Sequence, residues 1–503
     1  MAVWMVWAGA SAALVYLVAE HTWNAPFSDD WAVVPRITGR APLTPRWLWQ
    51  LHNEHRLPLP RLIQVAVLRL SGMDFRVTPY LSVAILSVLS LASIRVAARV
   101  RGRTALWDAC LPLFLLSWVH ADNVVSGWQI QFVLSTAAAV TFVLGVVSGG
   151  ARPGTETAVL TGVAMLVLPL CGASGVIMTP VLTVWLISAG RRAWVERQRV
   201  TGLVFCTCAV LALGLVGLYL RGWQAPPSNH HEASPWRLCS LMIEFFALAG
   251  GKLVPQPWQA VAFAGACVAL VLIGWRSWLP AGSRRYAGML LLIAGGVFLA
   301  SDSTELLTYL LLRPVTGLSS WQASGWLAFA AVLASLLILR SARLQTRADT
   351  RLAGLALFLL SMLALAAGIA RGRAGLGEDM HMFTRYATLL APLWCAVYFV
   401  WLLYTPAAER NIALALIFAL SALMAVNGWR SGLEVAQFRR DVQLGAFMET
   451  LRHRTLSAEE LAQRFTASET PLYSPEGRAF LTYCIRLLRD AGHPEFRRVR
   501  RDS

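Results

Sequence analysis

Two adjacent carboxylates, Asp29 and Asp30, sit between Phe27 and Trp31 just past the first hydrophobic run of the chain. Further along the same polar stretch come His52, Asn53, Glu54, His55 and Arg56, and a second cationic group, Arg371, Arg373, Arg385 and Tyr386, lies far downstream. A partly desolvated carboxylate at a helix end can be poised to take a proton from a hydroxyl. Arginine holds phosphate well because its planar fork meets two oxygens at once. Together these parts suit group transfer from a phosphate donor. A glycosidase needs an acid to protonate its leaving oxygen, hence two opposed carboxylates. A sugar linked to a lipid phosphate needs no such acid, because the phosphate departs as an anion. One base and a cationic cradle then suffice. In that scheme Asp29 abstracts the acceptor proton, while Asp30 and Glu54 shape the local field. Arg56, Arg371, Arg373 and Arg385 hold the departing phosphate and Tyr386 hydrogen-bonds it. The structural alternative is that Asp29 and Asp30 only cap the next short helix.

Other polar residues are candidates for orienting substrate. Asn123, Trp128, Gln129 and Gln131 offer hydrogen bonds and an aromatic face suited to a sugar, although an interfacial aromatic belt also predicts the Trp. His52 and His55, with Asp29 or Asp122, raise the alternative of a divalent metal, but zinc would want at least one further ligand. The other reading is that His52, Asn53, Glu54 and His55 orient the donor or form an ionic network with the two aspartates. His230, His231 and Glu232 read as a solvated lid in a proline-rich loop. Asp302 and Glu305 either line the cavity or cap a helix. Gly372, Gly375 and Gly377 give a flexible loop without the strand-then-helix context of a nucleotide-binding loop. The eight cysteines, including Cys206 and Cys208, form neither a disulfide framework nor a zinc pattern.

The elements that carry these residues belong to a membrane. The chain is 57% hydrophobic and 14% charged, against roughly 25% charge in soluble domains. Repeated apolar runs predict an all-α polytopic fold of about thirteen transmembrane helices. They lie near residues 3–19, 77–94, 105–119, 130–148, 157–170, 176–189, 201–220, 257–275, 286–300, 321–339, 352–370, 387–404 and 411–427. The fifth and sixth read as half-length helices meeting at Cys171-Gly172-Ala173-Ser174-Gly175, and residues 236–250 as a short or re-entrant helix. The transmembrane module is thus residues 1–427, with residues 20–76 as its first outer loop and residues 428–503 as a small polar helical tail. Within that loop, Pro42 to Gln50 and Leu57 to Leu70 read as interfacial helices. Trp47, Trp49, Leu57, Leu59 and Leu62 would enter the headgroup region while Arg46, Arg56 and Arg61 face phosphates. The net charge of +17 belongs to arginine-rich cytoplasmic loops and anionic lipid, so nucleic acid is not an expected partner. The basic loops at Arg95–Arg103, Arg191–Arg199, Arg284–Arg285 and Arg340–Arg351 share one side. The Asp29-Asp30 loop therefore faces the extracytoplasmic side.

In this layout the chain resembles the GT-C superfamily of polytopic glycosyltransferases, which includes the aminoarabinose transferases and protein O-mannosyltransferases. The resemblance rests on Phe27-x-Asp29-Asp30-Trp31, Asn53-Glu54-His55-Arg56, Asn123 to Phe132, and Gly372-Arg373 to Arg385-Tyr386. It implies a bacterial inner-membrane enzyme that moves a sugar from a polyprenyl phosphate to a glycan, lipid or protein acceptor. It also implies that Asp29 or Asp30 is the general base, with Asp29 favoured. No cofactor is required, although some relatives use a divalent ion. The tail is shorter than the periplasmic domains of several relatives, and the Trp-Trp-Asp type acceptor motif of oligosaccharyltransferases is missing. A transporter or flippase of a lipid-linked sugar is the alternative from another class. A surface-glycan ligase or polymerase is the nearer one.

Overall fold

Inside a bilayer no water meets backbone N–H and C=O groups, so apolar runs of this length satisfy themselves as helices. The computed structural model describes residues 1–224, 234–250, 269, 272, 322–345, 349–376, 384–453, 455–469 and 475–500. These are almost entirely helical, with a single two-stranded hairpin. Among the described residues nine helices are long and apolar enough to cross a membrane. They are Ala2–His21, Val77–Arg101, Ile130–Gly149, Ala173–Val195, Arg199–Leu220, Ser324–Arg343, Thr350–Arg373, Thr384–Tyr404 and Glu409–Gln443. The expected count of thirteen is not what they show. Apart from residues 269 and 272, the runs at 257–275 and 286–300, together with His230, His231, Glu232, Arg284, Arg285, Asp302, Glu305 and Gly377, lie outside the described residues.

Two expected spans come out differently for local reasons. The 105–119 run is broken into Leu106–Ala109, Cys110–Leu115 and Trp118–His120. Asp108, fully buried, accepts the Ala105 N–H at 2.7 Å and pairs with Arg101 at 2.6 Å, so the chain turns back on itself at that point. Tyr398 and Arg101 complete this buried network. The expected half-length pair is one short helix, Thr155–Val167, and one full-length helix, Ala173–Val195. They do meet at the glycines. Gly172 has φ +127, and a Cβ on Gly175 would lie 1.8 Å from the Leu168 carbonyl oxygen, so only glycine permits the close turn. Pro235–Ala247 is the short extra helix anticipated there.

The bundle is organised around Thr384–Tyr404, of whose apolar window 94% is buried. Trp394, Tyr398 and Trp401 are among its fully enclosed side chains, with Trp394 stacked on Phe114 at 5.1 Å. The last long helix, Ala407–Gln437, runs well past residue 427 before a π turn at Phe438–Gln443 leads into the tail.

A second core joins the first loop to that tail. Trp31, 4% exposed, inserts between Phe447, Phe465 and Phe496 at ring distances of 6.4, 6.5 and 6.1 Å. The Cys484 thiol points at the Trp31 carbonyl, and the His493 ring nitrogen lies 3.1 Å from the Met73 carbonyl. The tail and the first loop therefore share one face of the molecule. The loop helices Pro45–Trp49 and Pro58–Leu70 form as anticipated. Several of their side chains do not point to lipid, however. Trp47 and Leu57 are buried in protein, and Arg61, 4% exposed, donates to the Trp47 and Gln50 carbonyls at 2.8 and 2.7 Å. Those carbonyls lie at the end of a five-residue helix, where Trp47 accepts the Gln50 cap N–H at 3.2 Å and the guanidinium supplies a further donor.

Candidate functional site: a carboxylate–histidine hairpin beside a cationic cavity

The two aspartates have different surroundings. Asp30 is 3% exposed. It closes the turn at residues 28–33 by accepting the Phe27 N–H at 3.2 Å, and it accepts the Gln64 amide at 2.6 Å. Burial drives its carboxyl up to about 7, against the opposing hydrogen bonds from Phe27, Gln64 and Trp128. The helix-capping alternative thus describes Asp30. Asp29 is 39% exposed on its side chain, with Oδ1 3.1 Å from His52 Nε2. The DD pair splits into one pin and one accessible anion.

His52 and His55 come from a tight hairpin, Leu51–His52 paired antiparallel with His55–Arg56, in the register His52↔His55. Residues opposite one another in this register project to the same face. Asn53 makes the turn with φ 50, a left-handed conformation that asparagine tolerates. Its role is conformational. His52 packs on Trp128 at 4.6 Å. His55 Nε2 lies 3.5 Å from Glu54 Oε1, and Glu54 in turn lies 3.6 Å from Arg373 Nη2. Burial pushes the His55 imidazole below its ordinary value; Glu54 opposes this, whereas Arg373, Arg385 and His52 reinforce it.

The Glu54–Arg373 pair is where the beginning and the far end of the chain meet. Arg373 ends the helix Thr350–Arg373 and donates through Nε to the Tyr386 hydroxyl at 2.8 Å. Beside them lies a cavity of about 500 Å³. Glu54, His55, Gln131, Arg371, Arg373 and Tyr386 supply polar lining, while Phe132, Val176, Ile177, Leu220, Ile369 and Leu389 make it apolar elsewhere. Asp29, Asp30, His52, Asn53, Arg56, Asn123, Trp128, Gln129 and Arg385 are not among its described lining residues. Arg385 lies 5.6 Å from the Tyr386 ring and within electrostatic reach of Asp122 and Asp29.

Several expected binding residues hold the scaffold instead. The Arg56 guanidinium donates to the carbonyls of Trp49, Tyr219 and Arg221 at 2.7, 3.0 and 2.8 Å, tying the hairpin to the end of Arg199–Leu220. Asn123, fully buried, donates to the Arg385 carbonyl and the Thr388 hydroxyl, both at 2.6 Å. Trp128 is buried under His52, and the Gln129 side-chain oxygen is enclosed without a hydrogen-bond partner. Sequence reasoning passed over Gln64, Tyr219, Trp223 and the Asp122–Arg439 ion pair. Trp223 donates to the Glu54 carbonyl at 2.9 Å. Asp122 pairs with Arg439 and accepts the Thr384 hydroxyl at 2.8 Å, bracing the segment that carries Arg385. For Asp122 the available signal was a carboxylate between apolar spans, whereas Arg439 lies in the polar run Gln437 to Gln443 and gave no local signal.

Among the described residues no three His, Cys, Asp or Glu side chains converge as metal ligands do. Chemically, the arrangement offers imidazoles backed by carboxylates, two arginines and a phenol at the edge of a mixed polar and apolar cavity. Comparison with family models, curated proteins and solved structures finds no match.

Proposed function

We propose that this multi-pass membrane protein is an inverting glycosyltransferase that moves a sugar from a polyprenyl phosphate to an acceptor hydroxyl. The observation that supports it most is the Glu54–Arg373–Tyr386 junction at a cavity with apolar walls. Guanidinium and phenol suit a phosphate, and the apolar side chains suit the first isoprene units. The donor's phosphate would lie against Arg371, Arg373 and Tyr386, with Arg385 contributing field. Its departure as an anion needs no acid. The base would be Asp29, presented by the turn at residues 28–33 against His52 of the hairpin, in the position that matches the GT-C superfamily. Asp30, a buried pin, holds the turn that presents Asp29. The basic loops Arg95–Arg103 and Arg191–Arg199, at the opposite ends of Val77–Arg101 and Ala173–Val195, favour an extracytoplasmic site in a bacterial inner membrane.

The test is transfer by the full chain in nanodiscs, using a panel of polyprenyl-phosphate sugars and following release of polyprenyl phosphate. Arg373→Gln should weaken donor binding about tenfold to a hundredfold, the worth of a charge-assisted hydrogen bond. Movement of intact lipid-linked sugar between leaflets, without release of polyprenyl phosphate, would place the protein among flippases instead.

A further inference from the structure

Among the described residues the cavity wall holds two guanidiniums, Arg371 and Arg373, and one carboxylate, Glu54. The carboxylate does not suit a plain anion site, because it repels the phosphate that the arginines attract. Resting on the transferase reading, we infer that Glu54 sets which phosphate the cavity keeps. It weakens the hold on a phosphomonoester more than on a phosphodiester, so the site accepts the donor and lets the product go.

Glu54 is held where it acts on such a ligand. Its Oε1 lies 3.6 Å from Arg373 Nη2 and 3.5 Å from His55 Nε2. Trp223 donates to its carbonyl at 2.9 Å, and Arg56 ties the same hairpin to the carbonyls of Tyr219 and Arg221. Arg373 is fixed in turn by donating through Nε to the Tyr386 hydroxyl at 2.8 Å. A phosphate oxygen that reaches Arg373 therefore comes within the width of one guanidinium of the carboxylate. The Glu54 side chain is 23% exposed and that of Arg373 16%, so water screens their charges only in part. His55 adds no charge at neutral pH. Burial pushes its imidazole below the ordinary value, opposed by Glu54 and reinforced by Arg373, Arg385 and His52.

Donor and product differ at this point chiefly in charge. The donor is a diester with one ionisable oxygen and a single negative charge. In transfer the bond from the anomeric carbon to the phosphate oxygen breaks, and its electron pair stays on that oxygen. The acceptor oxygen takes the vacated place on the carbon while its proton goes to the base. The lipid product is then a monoester of about −1.5 to −2 charge at pH 7. Repulsion from Glu54 grows with the charge of the ligand, so the product is the species it disfavours. Without that carboxylate the two arginines would grip the monoester harder, and turnover would wait on its release.

The experiment compares undecaprenyl phosphate with undecaprenyl methyl phosphate, a diester that has the same tail and a single charge. Each competes with a fluorescent polyprenyl phosphate for the full chain, in nanodiscs of zwitterionic lipid at slightly alkaline pH. Glu54→Gln should tighten the methyl ester about tenfold, the worth of one unit charge in a partly buried site, and undecaprenyl phosphate by about fivefold more than that. Glu54→Asp keeps the charge and should keep the wild-type ratio of the two affinities. Loss of a merely structural contact would weaken both lipids, so the sign of the change separates the two roles. A Glu54→Gln chain that binds both lipids more weakly, or with an unmoved ratio, overturns the proposal. Where the wild type transfers sugar, that result leaves the transferase reading standing. The donor panel tests that reading separately, and a wild-type chain that transfers from none of the donors overturns it.

Discussion

Replacing Asp30 by asparagine should stabilise the protein at alkaline pH and do nothing of the kind in acid. The carboxyl is enclosed, and its pKa is raised from 3.8 to about 7. The folded chain therefore holds the proton more tightly than the unfolded chain does. Stability from this group is present in full below 3.8 and is lost as pH rises through about 7. At about 1.4 kcal/mol for each pH unit, the interval amounts to about 4 kcal/mol. Asparagine keeps the shape and an oxygen for the Phe27 N–H, but its amide cannot accept every donor that faces Asp30. That loss is about 1 kcal/mol, leaving a gain of about 3 kcal/mol at pH 8. The assay is thermal unfolding of both proteins in nanodiscs at pH 4, 6 and 8, reading the difference between them so that other titrating groups cancel. The variant should melt higher at pH 8, and the advantage should vanish or reverse at pH 4. A difference that is the same at both pH values would refute the idea that burial of this charge dominates. A stable Asp30→Asn protein that has lost transfer would show that the carboxyl has a chemical role beyond pinning the turn.

Three further outcomes follow from the packing. Trp31→Ala should cost about 3–5 kcal/mol and release the tail, seen as new protease cleavage between residues 445 and 500 with the membrane helices intact. Asp122→Ala leaves the Arg439 charge enclosed and unpaired, a loss of about 3–5 kcal/mol for a broken buried pair. A double variant replacing both by apolar residues should recover much of that loss in the same melting assay. Single cysteines at Ser71 and Asp490 should react with an impermeant maleimide from one side of the membrane. A cysteine at Arg197, in the turn after Ala173–Val195, should react from the other. Opposite labelling of Ser71 and Asp490 would contradict the shared core of loop and tail.

What the amino-acid sequence determined by itself is whatever depends on local composition. Apolar runs that span a bilayer have one low-energy backbone, so most spans, the loop helices and the helical tail are readable directly. Ionisable groups are expensive in lipid, so their clustering in the first loop and near Arg373 marked the candidate site region without any knowledge of contacts. The break at Gly172 was likewise local.

Tertiary structure decided what each polar group does, because a hydrogen-bond partner is chosen by position in space. Asp29 and Asp30 are neighbours of one chemical type, yet Gln64 and the backbone enclose one while His52 faces the other. Arg56 and Arg373 both looked like phosphate ligands. The carbonyl that occupies Arg56 Nε belongs to Tyr219, 163 residues away, whereas Arg373 reaches a cavity wall. Asn123 grips a segment more than 260 residues distant. The side on which the tail lies followed from Trp31 entering its aromatic core. Local patterns carry cost and periodicity; they carry no information about which distant carbonyl arrives to satisfy a donor.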